Sequence, residues 1–245
     1  MSLSLAMPTF LMRAGEAAAA HNDVRILVVV EMSSGNDALN TVIPHADSDY
    51  STMRPNIGAE AYTSSEEIKK AVKQYDVKVG NEAGYPQNNG LGNRLQTVAR
   101  QISSGVPTRI YYVSIGGFDT HANQPNPHAS LLGQMSSAIA AFYRDLGLQG
   151  KDKDVLLMTF SEFGRRVKEN GSNGTDHGAA GSMFVVGPGV KGGVYGDYPS
   201  PSDLDNGDLK FHTDFRGVYS TVLEGGLGAK SQPVLGGEFP RLKFI

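Results

Sequence analysis

Val24–Val30 (VRILVVV) is a largely β-branched run, aliphatic at every position but Arg25, the pattern of a strand buried on both faces. It ends at Glu31 and a polar turn, Ser33-Ser34-Gly35-Asn36-Asp37. Arg109–Ile115 (RIYYVSI) and Val155–Phe160 (VLLMTF) repeat the signal, and Met183–Val186 (MFVV) reads as a short fourth strand. Elsewhere the period lengthens to that of a helix. Leu91, Leu95, Val98 and Ile102 mark one buried helical face. Leu131, Leu132, Met135, Ile139, Phe142 and Leu146 draw the apolar stripe of a long helix from about His128 to Leu146. Ser64 and Glu67 form a capping box that opens a helix running to about Tyr75, and Asp214–Leu223 reads as a final helix. Strands alternating with helices predict an α/β fold with a mostly parallel central sheet flanked by helices. Ligands of such sheets gather at the carboxyl ends of the strands.

Composition narrows the classes. A formal net charge of -3 supplies no basic field for nucleic acid. The chain has no cysteine, which excludes disulfides and thiolate ligands. No apolar stretch approaches the roughly 20 residues of a membrane span, so no integral membrane segment is expected. Leu3–Leu11 is apolar, and Met12–Ala20 closes in the run GEAAAA. That pattern is an export signal lacking its basic start. Residues 1–20 are therefore expected to be a truncated export-signal-like segment that packs little. Residues 21–245 would form a single α/β domain, exported to the periplasm or the medium.

The chemistry concentrates in two glycine-rich turns. GGFDTHANQ at Gly116–Gln124 supplies Asp119 and His121, and GTDHG at Gly174–Gly178 supplies Asp176 and His177. Each places a carboxylate beside an imidazole next to an apolar run, a donor set that suits a divalent metal. Asp119 and His121, two apart in an extended segment, can face one side. Asp37 and Glu162 are further carboxylates at strand ends; an Asx-type turn is the plainer account of Asp37. Arg165 and Arg166 offer bidentate donors for a phosphate or sulfate, with a surface ion pair the simpler role for Arg166. Thr213 or Asp214 reads as a helix N-cap. No GxSxG elbow and no Walker loop is present.

VVVEMSSGNDALNTVIP, RIYYVSIGGFDTHANQ, TFSEFGRRVKENGSNGTDHGAA and the DFRGVYSTVLE tail together resemble the bacterial domain-of-unknown-function family 1501 (DUF1501). The resemblance extends over nearly the whole chain from Val24 onward. It implies an alkaline-phosphatase-like fold, shared with sulfatases and cofactor-independent phosphoglycerate mutases, and a metal site at the strand ends that hydrolyses phosphate or sulfate esters. It also implies a twin-arginine (Tat) export signal. By position, Asp37, Asp119, His121, Glu162 and His177 match the metal-site positions. Asp176 and Arg165 are the expected catalytic residues, Arg165 holding the substrate oxyanion.

Three departures stand out. Phe163 occupies a position where the superfamily has histidine, and Asp119 and His121 are spaced more tightly than the superfamily's pair. RPNIG at Arg54–Gly58 runs straight into AEAYTSSEE, where a large block normally intervenes, so part of the fold is expected to be missing near residues 58–61. The expected function is a metal-dependent hydrolase of a small-molecule or glycan ester, with zinc, manganese or calcium as cofactor. The alternatives are an inactive metal- or glycan-binding envelope protein and a non-functional remnant of such a hydrolase.

Overall fold

The computed structural model describes residues 9–19, 25–35, 37, 52, 83–103 and 108–245. In chain order the elements begin with α1 (Thr9–Ala19), β1 (Ile26–Met32), α2 (Gly90–Ser103), β2 (Ile110–Ile115), α3 (Pro125–Leu148) and β3 (Val155–Phe160). There follow β4 (Gly164–Glu169), β5 (Thr175–Gly178), β6 (Val185–Val186), β7 (Leu204–Asp205) and β8 (Asp208–Leu209). The chain closes with α4 (Phe215–Thr221), which continues into a wide turn over Val222–Gly226, and α5 (Gln232–Leu235). The expected helix at Ser64–Tyr75 and the junction at Gly58–Ala61 lie outside the described residues.

Among the described residues the central sheet has the order β2-β1-β3-β6. The first three strands run parallel, with Val30 opposite Val113 on one side and Thr159 on the other. β6 is antiparallel to β3, so the sheet is mixed and mostly parallel. The α/β architecture matches the expectation. β1 begins two residues later than the apolar run suggested and carries on through Glu31 and Met32.

Alternation divides β1 between two apolar layers. Val28, Val30 and Met32 point to a layer filled by α2 and α3, with Leu95, Leu132, Met135, Phe142 and Leu146 buried there. α2 opens on Asn89, whose side-chain oxygen accepts from the Gly92 amide at 2.8 Å, the work of an N-cap. The same side chain donates to the Gln134 carbonyl at 2.8 Å and ties α2 to α3. Pro125 starts α3, where a missing amide hydrogen costs nothing.

Leu27 and Val29 face the second layer, built from α1, α4, Leu227 and Phe244. Here the structure corrects an expectation. α1 does not hang free: Leu11, Ala14 and Ala18 are fully buried. Phe10 stacks on Tyr219 with ring centroids 4.6 Å apart. Arg109 then donates to the last turn of α1 at the Ala18 carbonyl, 3.1 Å away. Leu11 falls in register with Ala14 and Ala18, so a leucine and two small residues let the helix lie close on the sheet. Leu3 and Leu5 lie outside the described residues. Among the described residues no helix is long and apolar enough to cross a membrane.

Candidate metal centre

The loop after β2 alternates as a strand does. Phe118 and Thr120 are buried, and Asp119 and His121 are exposed on the same side. The loop is pinned from below by the connection between β4 and β5. The Thr175 amide donates to Thr120 O at 3.3 Å, the Asn123 amide to Ser172 O at 2.9 Å, and the Gln124 amide to Asn173 O at 2.8 Å. Gly174 permits that approach, because a Cβ there would stand 2.3 Å from the His121 carbonyl.

β4 and β5 form an antiparallel hairpin in which Arg165 lies opposite His177. Residues so paired share a face, and both reach Asp119. His177 Nε2 lies 3.0 Å from Asp119 Oδ1, His121 Nε2 lies 3.1 Å from the same oxygen, and the two Nε2 atoms are 3.0 Å apart. Asp119 Oδ1 and the two imidazole nitrogens thus form a nearly equilateral triangle. Among the described residues, these three make up the one group of His, Asp or Glu side chains whose ligand atoms all lie within 4.8 Å of one another. All three side chains are about half exposed.

Asp176 stands behind His121. Its Oδ1 lies 3.5 Å from His121 Nδ1 and accepts from Asn170 Nδ2 at 3.2 Å. The Asn170 amide, then His121 and the nearby Arg166, hold the Asp176 carboxyl below the usual carboxylate range.

Arg165 does not meet the expectation of a substrate clamp. Its side chain is wholly buried. Nε donates to Gly35 O at 3.0 Å and Nη1 to Thr175 O at 2.8 Å. Nη2 faces Ser34 O at 2.8 Å, Phe118 O at 2.9 Å and Asp119 Oδ1 at 2.7 Å. The guanidinium therefore stitches the β1 turn, the β2 loop and β5 together. That bond, with His177 next, holds the Asp119 carboxyl below its ordinary value.

Asp37 and Glu162 sit at the same end of the sheet but outside the triangle. Asp37 is buried and accepts from Gln124 Nε2, whose amide oxygen accepts from Thr175 Oγ1 at 2.7 Å. Glu162 accepts from the Ser34 amide at 2.9 Å and from Ser33 Oγ at 3.3 Å. Glu162 also meets Glu31, whose own carboxyl burial pushes up in pKa and which accepts from the Tyr112 hydroxyl. Phe163 stacks on the His177 ring with centroids 3.9 Å apart and presses against Gly35. Phe163 thus covers one face of His177 with an apolar ring.

Sequence reasoning missed the β4–β5 hairpin, and with it the positioning role of Arg165. The signal was present. Asn170–Gly174 (NGSNG) is a turn sequence between two short runs, and a hairpin there sets Arg165 opposite His177.

The fold and the triangle define an α/β protein with a His and carboxylate cluster at the carboxyl end of a mostly parallel sheet. Residues 59–206 match the family described as "Protein of unknown function (DUF1501)", and the chain belongs to that family. No curated protein matches it.

Proposed function

We propose that Asp119, His121 and His177 hold a divalent cation, and that the protein is a metal-dependent hydrolase of phosphoric or sulfuric esters on an alkaline-phosphatase-like scaffold. One observation carries the reading: the donor triangle with edges of 3.0, 3.0 and 3.1 Å. Ligands about 2.0–2.1 Å from a tetrahedral zinc ion stand roughly 3.3 Å apart, so the residues present fit such an ion with little movement. Two imidazoles and one carboxylate favour zinc or manganese over calcium, which prefers oxygen donors. Three protein ligands on an exposed face leave coordination positions open, the arrangement of catalytic rather than structural sites.

A bound divalent cation would polarise the ester and neutralise charge developing on its oxygens. The surrounding residues set the ligands for that task. Arg165 fixes the orientation of Asp119 and keeps it ionised. Asp176, near His121 Nδ1, favours the tautomer that leaves Nε2 free to ligate. Phe163 covers one face of His177 and keeps water from that side.

A second reading, a metal-binding envelope protein without turnover, is supported by Arg165. Its guanidinium is committed to protein acceptors and does not face an incoming anion.

Zinc binding by calorimetry separates these readings from a purely structural role. Wild type should bind about one zinc ion per chain, as a three-ligand centre does, and His121→Ala and His177→Ala should abolish it. Asp176→Ala should weaken it by about 10–100-fold, and Glu162→Gln should leave it unchanged. Failure of wild type to bind zinc or manganese overturns the reading. Zinc-loaded protein tested on p-nitrophenyl phosphate and p-nitrophenyl sulfate then decides between hydrolase and binding protein.

A further inference from the structure

On the other side of the β4–β5 hairpin lies an open cleft of about 550 Å³, within the roughly 300–1,000 Å³ range of small-molecule sites. Hydrogen bonds and apolar contacts hold one wall. The two oxygens of Asp208 accept from the Ala179 amide at 3.1 and 3.0 Å, and the Leu209 side chain is buried with Val167 and Ala180. Val167 points inward, so its neighbour Arg166 projects to the opposite face and lines the cleft.

The lining has a mixed character. Phe211 is 66% exposed, a large apolar ring offered to solvent. Near it stand Arg166 and His212, Lys210, whose ammonium pairs with Asp203, and Asp205, which accepts from Asn206 Nδ2 at 3.1 Å and leaves the Asn206 amide oxygen as a further acceptor. An inorganic anion would use the cations and leave the phenyl ring wet. A plain aromatic ligand would cover the phenyl ring and leave the polar groups facing apolar surface. A pyranose ring has an apolar face and a rim of hydroxyls that both donate and accept, and it satisfies both halves of the lining.

We propose that this cleft is a carbohydrate subsite, with Phe211 as the platform under the sugar ring and Arg166, Asp205 and Asn206 bonding its hydroxyls. The cleft and the donor triangle share one hairpin. Ala179 lies two residues beyond His177, and Arg166 adjoins Arg165. The subsite does not rest on the hydrolase reading.

Saturation-transfer NMR on the metal-free full chain tests the subsite, with glucose 6-phosphate, glucose and inorganic phosphate as separate probes. Both sugars should show transfer to ring protons, and inorganic phosphate should not compete with glucose. Phe211→Ala should weaken binding of both sugars by about fivefold, the loss of one stacked ring contact, and Asn206→Ala should also weaken it. His177→Ala should leave glucose binding as in wild type. Sugar binding that is absent, or unaffected by both Phe211→Ala and Asn206→Ala, overturns the proposal. Sugar binding that depends on Phe211 without turnover under any metal sinks the hydrolase reading and leaves the subsite standing.

Discussion

The two faces of the central sheet are covered in different ways. On one, α2 and α3 lay long apolar stripes across Val28, Val30 and Met32. On the other, α1 from one end of the sequence meets α4, α5 and the carboxyl-terminal residues over Leu27 and Val29. The first cover is continuous: α3 alone runs 24 residues. The second is assembled from short pieces, an 11-residue helix and a seven-residue one among them. Short helices have little stability of their own and depend on tertiary contacts. The first layer should therefore behave as the fixed half of the molecule and the second as the half that yields first.

The largest expected effect lies in the first layer. Phe142 is fully buried between α3 and the sheet and makes an edge contact with Tyr143. Tyr143 in turn donates to the Val186 carbonyl at 2.6 Å. Phe142→Ala should destabilise the fold by about 3–5 kcal/mol, read from the urea midpoint at constant slope. A cost below about 1 kcal/mol would mean that this layer relaxes easily and that the contrast between the faces is wrong.

Leu11→Ala tests the second layer. The side chain is buried on α1, and its removal should cost about 2–3 kcal/mol, at the low end for a buried leucine because a short helix can shift to close the cavity. Amide hydrogens of α1 should exchange faster than those of α3 in the same native-state experiment. A leucine deletion without effect would show that α1 does not dock. An α1 protected as well as α3 would show that the two faces open together.

The contrast also explains what could be read in advance. The stripe from Leu131 to Leu146 and the three aliphatic runs repeat at one period over many residues, so α3 and the parallel strands were legible. The packing of α1 was misread for a physical reason. A helix that lies close on a sheet uses small residues such as Ala14 and Ala18, and export signals end in small residues as well. The site divides along similar lines. Asp119, Thr120 and His121 alternate like a strand, so the facing pair was visible. Arg165 was not, since its bonds depend on a hairpin register between residues 10 or more apart. Glu162 followed a buried strand as expected, yet it turns to the Ser33–Ser34 backbone, a contact set by three-dimensional packing. The β7–β8 hairpin went unread although Asp205-Asn206-Gly207-Asp208 is a strong two-residue turn signal, with Asn206 and Gly207 both at positive φ.

The smallest expected effect is at the cap of α4. Asp214 accepts from the Arg216 amide at 2.9 Å and pairs with the Arg216 guanidinium at 2.6 Å. The Arg216 hydrogen bonds hold the Asp214 carboxyl below its ordinary value, and Ser231 does the same for Glu224 in the following turn. A carboxyl with a lowered folded-state pKa stabilises the fold fully above its unfolded value, and that stability is lost as pH falls through the folded value. The second layer should therefore weaken on acidification below about pH 4, where unfolded carboxyls titrate. Asp214→Ala should cost about 1 kcal/mol at neutral pH. Asp214→Asn keeps an equally good cap and loses only an exposed ion pair, so its cost should be at most a few tenths of a kcal/mol. Both variants should unfold in acid with a shallower pH dependence than wild type, since neither has a carboxylate to protonate at that position. If Asp214→Asn were as damaging as Asp214→Ala, the charge rather than the cap would anchor α4. If wild type and both variants shared one acid profile, the second layer would not owe its weakness to this helix start.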